Sequence, residues 1–199
     1  MDSAPGFAPY RRPRVLWQSQ RFAEALATYE RQRRTARTSS LTEEALVLGY
    51  LGRAGEGLTL LDEGGKDTVG RANEGRNAMA AGSDESAARA VLLARLGRAA
   101  EARAMIANAQ RLGSGTSHFH HAAFAIATAW ALMNQRDSAV TWLERTADDG
   151  MPSYSLFLND PTLASLRGLP RYDALIQRLR TQHDRFRAII AQFAVRTDR

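Results

Sequence analysis

The stretch "AARAVLLARLGRAAEARAMIANA", Ala87 to Ala109, decides how the rest of the chain is read. Apolar residues recur at helical spacing on both sides of Gly97, and glycine tolerates the left-handed backbone on which many helices end. The reading is helix, tight turn, helix. Ala102 opens the second helix with a small side chain, which lets two helices cross closely. Ile106, one turn further on, is placed to pack back onto the first helix, whose Leu93 stands before the turn.

Three more stretches follow the same pattern: "VLWQSQRFAEALATYERQRR" (Val15 to Arg34), "EEALVLGYLGRAGEGLTLLDE" (Glu43 to Glu63) and "FAIATAWALMNQRDSAVTWLERTA" (Phe124 to Ala147). Aligned on the small residue they place Ala25, Gly57, Ala102 and Ala139 at the anchor. Gln20, Gly52, Gly97 and Asn134 fall in the turn. Tyr29, Leu61, Ile106 and Leu143 follow the anchor by one helical turn, and Leu16, Leu48, Leu93 and Trp130 precede it on the first helix. The anchors are unevenly spaced. The excess lies in "GGKDTVGRANEGRNAMAAGSDES", Gly64 to Ser86, a glycine-rich polar segment in which a helix is predicted around Arg71 to Ala81. In the first unit Pro13 stands where the middle of the leading helix belongs, so Leu16 and Trp17 are either uncovered or covered by Phe7 and Tyr10. A piece of a longer protein would show the same defect.

Composition agrees with a helical globular protein. The chain has 199 residues, 44% apolar and 24% charged. With no cysteine, disulfides, thiolate metal sites and cysteine nucleophiles are excluded. The net charge is +6, and of the 27 basic residues all but Lys66 are arginine, a bias that reflects a G+C-rich coding sequence more readily than a binding need. "MDSAPGFAPYRRPRVLW" has no apolar core of a signal peptide. "AAFAIATAWALM", Ala122 to Met133, is shorter than the ~20 residues a bilayer span needs, and reads as a buried helix. A cytoplasmic location is expected, or an extracytoplasmic one if the chain belongs to a longer membrane-anchored parent.

This pattern resembles the tetratricopeptide repeat (TPR), a helix–turn–helix unit of about 34 residues. "LARLGRAAEARAMIANA" and "ALMNQRDSAVTWLERTADDG" match best. The following "DDGMPSYSLFLNDPTLASLRGLPRYDALIQRLR" is similar to the closing segment of bacterial arrays of the end-of-group type: an extended apolar stretch, then a D-P-x-[FL]-x-x-L-R-x-x-P-R-[FY]-x-x-L motif carried here by Asp160, Pro161, Leu163, Leu166, Arg167, Pro170, Arg171, Tyr172 and Leu175. Physical chemistry supports the same reading. Asp160 caps a helix that starts at Pro161, Gly168 ends it, and Pro170 opens the next. Tyr172, Leu175, Ile176 and Leu179 then form a stripe that can cover the open end of a stack. The resemblance implies an all-α, right-handed superhelix of about four repeats with a C-terminal capping helix: a tail over 1–12, the array over 13–158, and the cap with its long helix over 159–199. Phe186, Ile189, Ile190 and Phe193 prolong the stripe. They either pack along the array, dock another copy of the chain, or, with Arg185, Arg187 and Arg196, meet a membrane surface.

Catalytic chemistry is not legible. "GSGTSH" (Gly113 to His118) lacks the third glycine of a phosphate loop and reads as an inter-repeat turn, and "EGGKDT" lacks the Ser or Thr of a P-loop. In "SHFHH", His118 and His121 share a helix face at i, i+3, but no third metal ligand is evident. Glu43–Glu44 suit a helix first turn, and Asp148–Asp149 lie beside Gly150. "YRRPR" and "RQRRTAR" are basic without any nucleic-acid recognition signature. No catalytic, cofactor or metal residue is assigned, and the chain is expected not to be an enzyme. The resemblance implies a concave groove lined by Asp84, Ala87, Val91, Ala94 and Arg95 in the third repeat and by His121, Phe124, Thr128, Ala131 and Leu132 in the fourth. The expected function is protein–protein interaction, with a peptide or helix as guest. The family context adds an accessory role in a larger bacterial kinase or transcriptional regulator. The alternative is a regulatory domain that contacts nucleic acid through its arginines.

Overall fold

The computed structural model describes residues 11–36, 40–68, 76–116 and 118–197. All elements among these residues are helical: α1 (Arg11–Gln18), α2 (Phe22–Ala36), α3 (Leu41–Tyr50), α4 (Ala54–Thr68), α5 (Arg76–Arg95), α6 (Ala99–Gly113), α7 (Phe119–Leu132), α8 (Arg136–Asp148), α9 (Tyr154–Asn159), a 3-10 segment (Pro161–Leu166) and α10 (Pro170–Thr197). Consecutive helices pair as α1–α2, α3–α4, α5–α6 and α7–α8, and the pairs pack against their neighbours.

The turns inside the four pairs are the same turn. Gln20, Gly52, Gly97 and Asn134 have φ of 60°, 78°, 73° and 57°, all in the left-handed region. The next residue in each case, Arg21, Arg53, Arg98 or Gln135, donates its N–H to the carbonyl of Leu16, Leu48, Leu93 or Trp130, each at 2.9 Å. That bond closes the helix end by reaching back over the final turn. In three of the pairs the new helix opens with a two-pronged ion pair, Arg21–Glu24, Arg53–Glu56 and Arg98–Glu101.

Close crossing explains the small residue beyond each turn. Ala25, Ala102 and Ala139 are fully buried. At Gly57 even a methyl group is too large: a Cβ there would lie 2.8 Å from the Ala45 carbonyl oxygen and 3.1 Å from the Leu92 side chain. Tyr29, Leu61, Ile106 and Leu143 fill the space below the crossings and are all buried. The first helices α3, α5 and α7 lie side by side, and α2, α4 and α6 each also touch the first helix of the following pair.

The glycine-rich segment differs from expectation. From Arg76 onward it is the N-terminal part of α5, continuous with the rest of that helix. Its small residues let α6 approach: Ser83 Oγ donates to the Ala109 carbonyl at 2.8 Å, and Gly82 faces Leu112. Residues 71–75 of the predicted helix lie outside the described residues, as do Phe7 and Tyr10. Pro13 is accommodated in the first turn of α1, where a helix needs no N–H donor. α1 is short, yet Leu16 is buried and Trp17 packs on the cores at both sides of it.

The C-terminal segment reaches further across the fold than an end cap. α9, expected as extended chain, is a short helix whose Phe157 N–H donates to the Ser153 carbonyl. Asp160 caps the 3-10 turn by accepting from the Thr162 N–H at 2.8 Å, and Gly168 (φ 82°) breaks the chain before Pro170. Phe157, Leu163 and Leu166 are fully buried with Tyr172, Leu175 and Leu179 of α10 against α7 and α8. Beyond His183 the long helix does not pack along the array: Phe186, Ile190 and Phe193 are 55%, 67% and 63% exposed.

Gly57→Ala tests the crossing. The added methyl meets main chain, so urea denaturation is expected to show a loss of about 1–3 kcal/mol, although the equivalent position is alanine in the other three pairs. An unchanged midpoint would mean that α3 and α4 do not cross this closely.

Candidate functional site

A cleft of about 270 Å³ opens where α1, the start of α3, the start of α5 and the first turns of α7 converge. Its walls are apolar at Trp17, Leu46, Phe124, Ala125, Met151 and Leu156, and polar at Arg14, Glu43, Asp84 and His121. The polar side is organised from the start of α3. Ser40 caps that helix by accepting from the Glu43 N–H at 3.3 Å. Glu43 Oε1 accepts from Arg14, and its Oε2 accepts from the Tyr29 hydroxyl at 2.5 Å. Burial, then the Glu43 carboxylate, holds the Tyr29 phenol far above its ordinary range. Glu44 beside it is buried and ion-paired with Arg33, so the first-turn carboxylates knit α1, α2 and α3 together as well as facing the helix dipole.

Asp84 and His121 face one another's surroundings from α5 and α7. Burial lifts the Asp84 carboxyl to about 6; Arg14, His118 and the Ala122 N–H pull it down, while Glu43 pushes it up. Burial lowers His121 to about 4, with Arg14, His120 and His118 adding to the effect. Next to them His118, His120 and His121 bring one ring nitrogen each within 4.8 Å of one another. His118 stands at the head of α7 with φ 72° and ψ 11°, outside the helix proper. Sequence spacing pairs His118 with His121 only. The left-handed turn at His118 is what adds His120, and a regular helical wheel does not contain it.

The ten groove residues expected from the repeat pattern separate into two sets. Asp84, His121 and Phe124 line the cleft. Ala87, Val91, Ala94, Thr128 and Ala131 are buried against neighbouring elements, and Leu132 is half-buried against the main core. Arg95 lies over the Tyr50 ring, 4.8 Å from its centre. Ala87, Val91 and Ala94 are buried where α3, α5, α6 and α7 pack together, whereas Phe124, Ala131 and Tyr50 meet the C-terminal segment. Phe157 stacks on Phe124 with ring centres 5.6 Å apart, Asp160 Oδ2 accepts from the Tyr50 hydroxyl at 2.5 Å, and Gln20 Nε2 donates to the Asn159 carbonyl at 2.7 Å. Repeat periodicity did not reveal Arg14, Trp17, Glu43, Leu46, Met151 or Leu156. The capping box-like "SLTEE" around Glu43 is a local signal, but nothing local places it opposite α5 and α7.

About half of the described Arg side chains are ion-paired with carboxylates, as in Arg14–Glu43, Arg89–Asp62, Arg171–Glu144 and Arg178–Asp148. No described helix is long and apolar enough to cross a membrane. No protein-family model, curated protein or solved structure matches the chain.

Asp84 and His121 impose opposite pH dependences on stability. Folded Asp84 keeps its proton from its ordinary 3.8 up to about 6, so stability is lost as pH rises through that window. Folded His121 stays neutral from its ordinary 6.5 down to about 4, so stability is lost as pH falls through that window. In metal-free buffer, Asp84→Asn is therefore expected to lose stability more steeply than the parent on acidification, and His121→Asn less steeply. Urea denaturation across this range measures both, and three parallel profiles would refute the assignment.

Proposed function

We propose that this chain is a TPR-like scaffold, a right-handed array of about four helix–turn–helix units, that binds a short segment of a partner protein in the cleft beside Asp84, His121 and Phe124. It performs no catalysis. The four superposable turns and the alternation of inner and outer helices support the repeat reading. The one observation that carries the binding reading is that the same face already holds a peptide segment, its own: Phe157 on Phe124 and Asp160 on Tyr50. A face that takes an aromatic and a carboxylate from one segment, with an unfilled apolar cleft alongside, suits an extended or briefly helical guest that inserts one apolar side chain. The polar rim formed by Arg14, Glu43 and Asp84 would fix its direction. An accessory role within a bacterial signalling protein rests on the family resemblance alone.

Filling the cleft tests the proposal. Ala81 is exposed at its edge, so Ala81→Trp occupies it without disturbing the core. The immobilised parent chain is expected to retain a protein from an extract of its source organism at high salt, and Ala81→Trp to lose it. The double variant Phe186→Asp/Ile190→Asp, remote on α10, is expected to retain it. Equal retention by Ala81→Trp would overturn the cleft as the site. Salt-sensitive retention of nucleic acid in place of protein would overturn the scaffold reading, because phosphate contacts weaken steeply with salt.

A further inference from the structure

We propose that His118, His120 and His121 form a three-histidine site for a divalent transition metal of the zinc class, with its fourth position open at the mouth of the cleft. One ring nitrogen from each residue lies within 4.8 Å of the others. Bonds of 2.0–2.1 Å to a tetrahedral ion put ligand nitrogens about 3.3 Å apart, so small rotations close the set. His118 is exposed, and its ring is the one with room to move. The rings already converge: His120 and His121 have centres 4.4 Å apart, and those of His118 and His121 are 6.2 Å apart and nearly parallel.

Two further features point to ligation. The first is the backbone of His118. His118 takes the left-handed conformation, φ 72°, and this sets the direction of its ring. Here the left-handed residue turns an imidazole back over the first turn of α7, toward the other two. In the inner turns of the repeats the same conformation is taken by Gln20, Gly52, Gly97 and Asn134, none of which carries a metal-binding side chain. The second is the support behind His120. Its Nδ1 faces the Asp149–Gly150 turn, 3.9 Å from where a Gly150 Cβ would stand. With one ring nitrogen turned toward main chain, the other is left for a ligand bond, the arrangement metal-ligating histidines commonly show.

Around the site, Asp84 interacts electrostatically with His118, and the cation Arg14, which bears on His120 and His121, is ion-paired with Glu43. Imidazole nitrogen donors with no thiolate in the chain suit zinc, nickel or copper(II) better than calcium or magnesium. The site stands independently of the peptide reading of the cleft, although His121 borders both.

The test uses Co²⁺ and Zn²⁺ salts with the full chain. His118→Asn is the informative variant, because asparagine accepts the left-handed turn and removes the ligand. The parent is expected to bind one Co²⁺ with the intense visible bands of four-coordination, which Zn²⁺ then displaces. His118→Asn and His120→Ala are expected to weaken Zn²⁺ binding at least about tenfold, while His183→Ala, on α10, leaves it unchanged. Circular dichroism of each variant checks that the helices remain. Parent-like Zn²⁺ affinity in His118→Asn, or only the pale spectrum of hydrated cobalt with the parent, would overturn the proposal.

Discussion

A carboxylate buried to 4% exposure must find donors or its desolvation is uncompensated, and Asp160 finds them on both sides of the fold. Thr162 supplies its N–H and hydroxyl from the next turn of the same segment. Tyr50 supplies its hydroxyl from the end of α3, far away in sequence. Burial and the facing carboxylate raise the Tyr50 phenol well above its ordinary range, so it stays a donor. This one acceptor therefore ties the segment around Asp160, which packs on α7 and α8, back to the end of α3. The aromatic surroundings of Tyr50 follow from it: Phe22 stacks at 4.7 Å, Trp17 meets its edge at 5.9 Å, and Arg95 covers a face.

The position of the cleft is a consequence. The 3-10 segment packs on α7, and Asp160 reaches the end of α3. Beside Leu156 of α9, between α1, the start of α3, α5 at Asp84 and the start of α7, an apolar cleft with a polar rim stays open. Asp84 and His121 keep their perturbed protonation there because they are partly shielded from water yet close to Arg14, Glu43 and His118. α10 shows the opposite case. Its stripe is buried as far as Leu179 and then runs on uncovered through Phe193.

The repeat core was legible in the sequence because its determinants are local. A residue able to adopt positive φ, a small residue after it and an apolar one a turn later recur four times, and each does the structural work its type suggests. The 3-10 cap was legible for the same reason, since Asp160, Pro161 and Gly168 act on their own neighbours. What was not legible is long-range. No local pattern says that Asp160 would meet Tyr50, nor how closely α3, α5 and α7 pack side by side, so the groove read from periodicity includes Ala87, Val91 and Thr128, which the fold buries. The histidine cluster was half-visible. A helical wheel joins His118 to His121, but His120 enters only because His118 leaves the helix. The glycine-rich stretch before Ser86 misled for a related reason: Gly82 and Ser83 look like loop residues until α6 is seen to press against them.

A double-mutant cycle on Tyr50→Phe and Asp160→Asn tests most directly whether the C-terminal segment is clasped onto the end of α3. Urea denaturation of the parent, both single variants and the double variant is expected to give a coupling of about 1–3 kcal/mol, as for contacting groups in one hydrogen-bond network. Additive effects, within about 0.5 kcal/mol, would contradict the account, because they would mean that the two residues do not hold the segment in place.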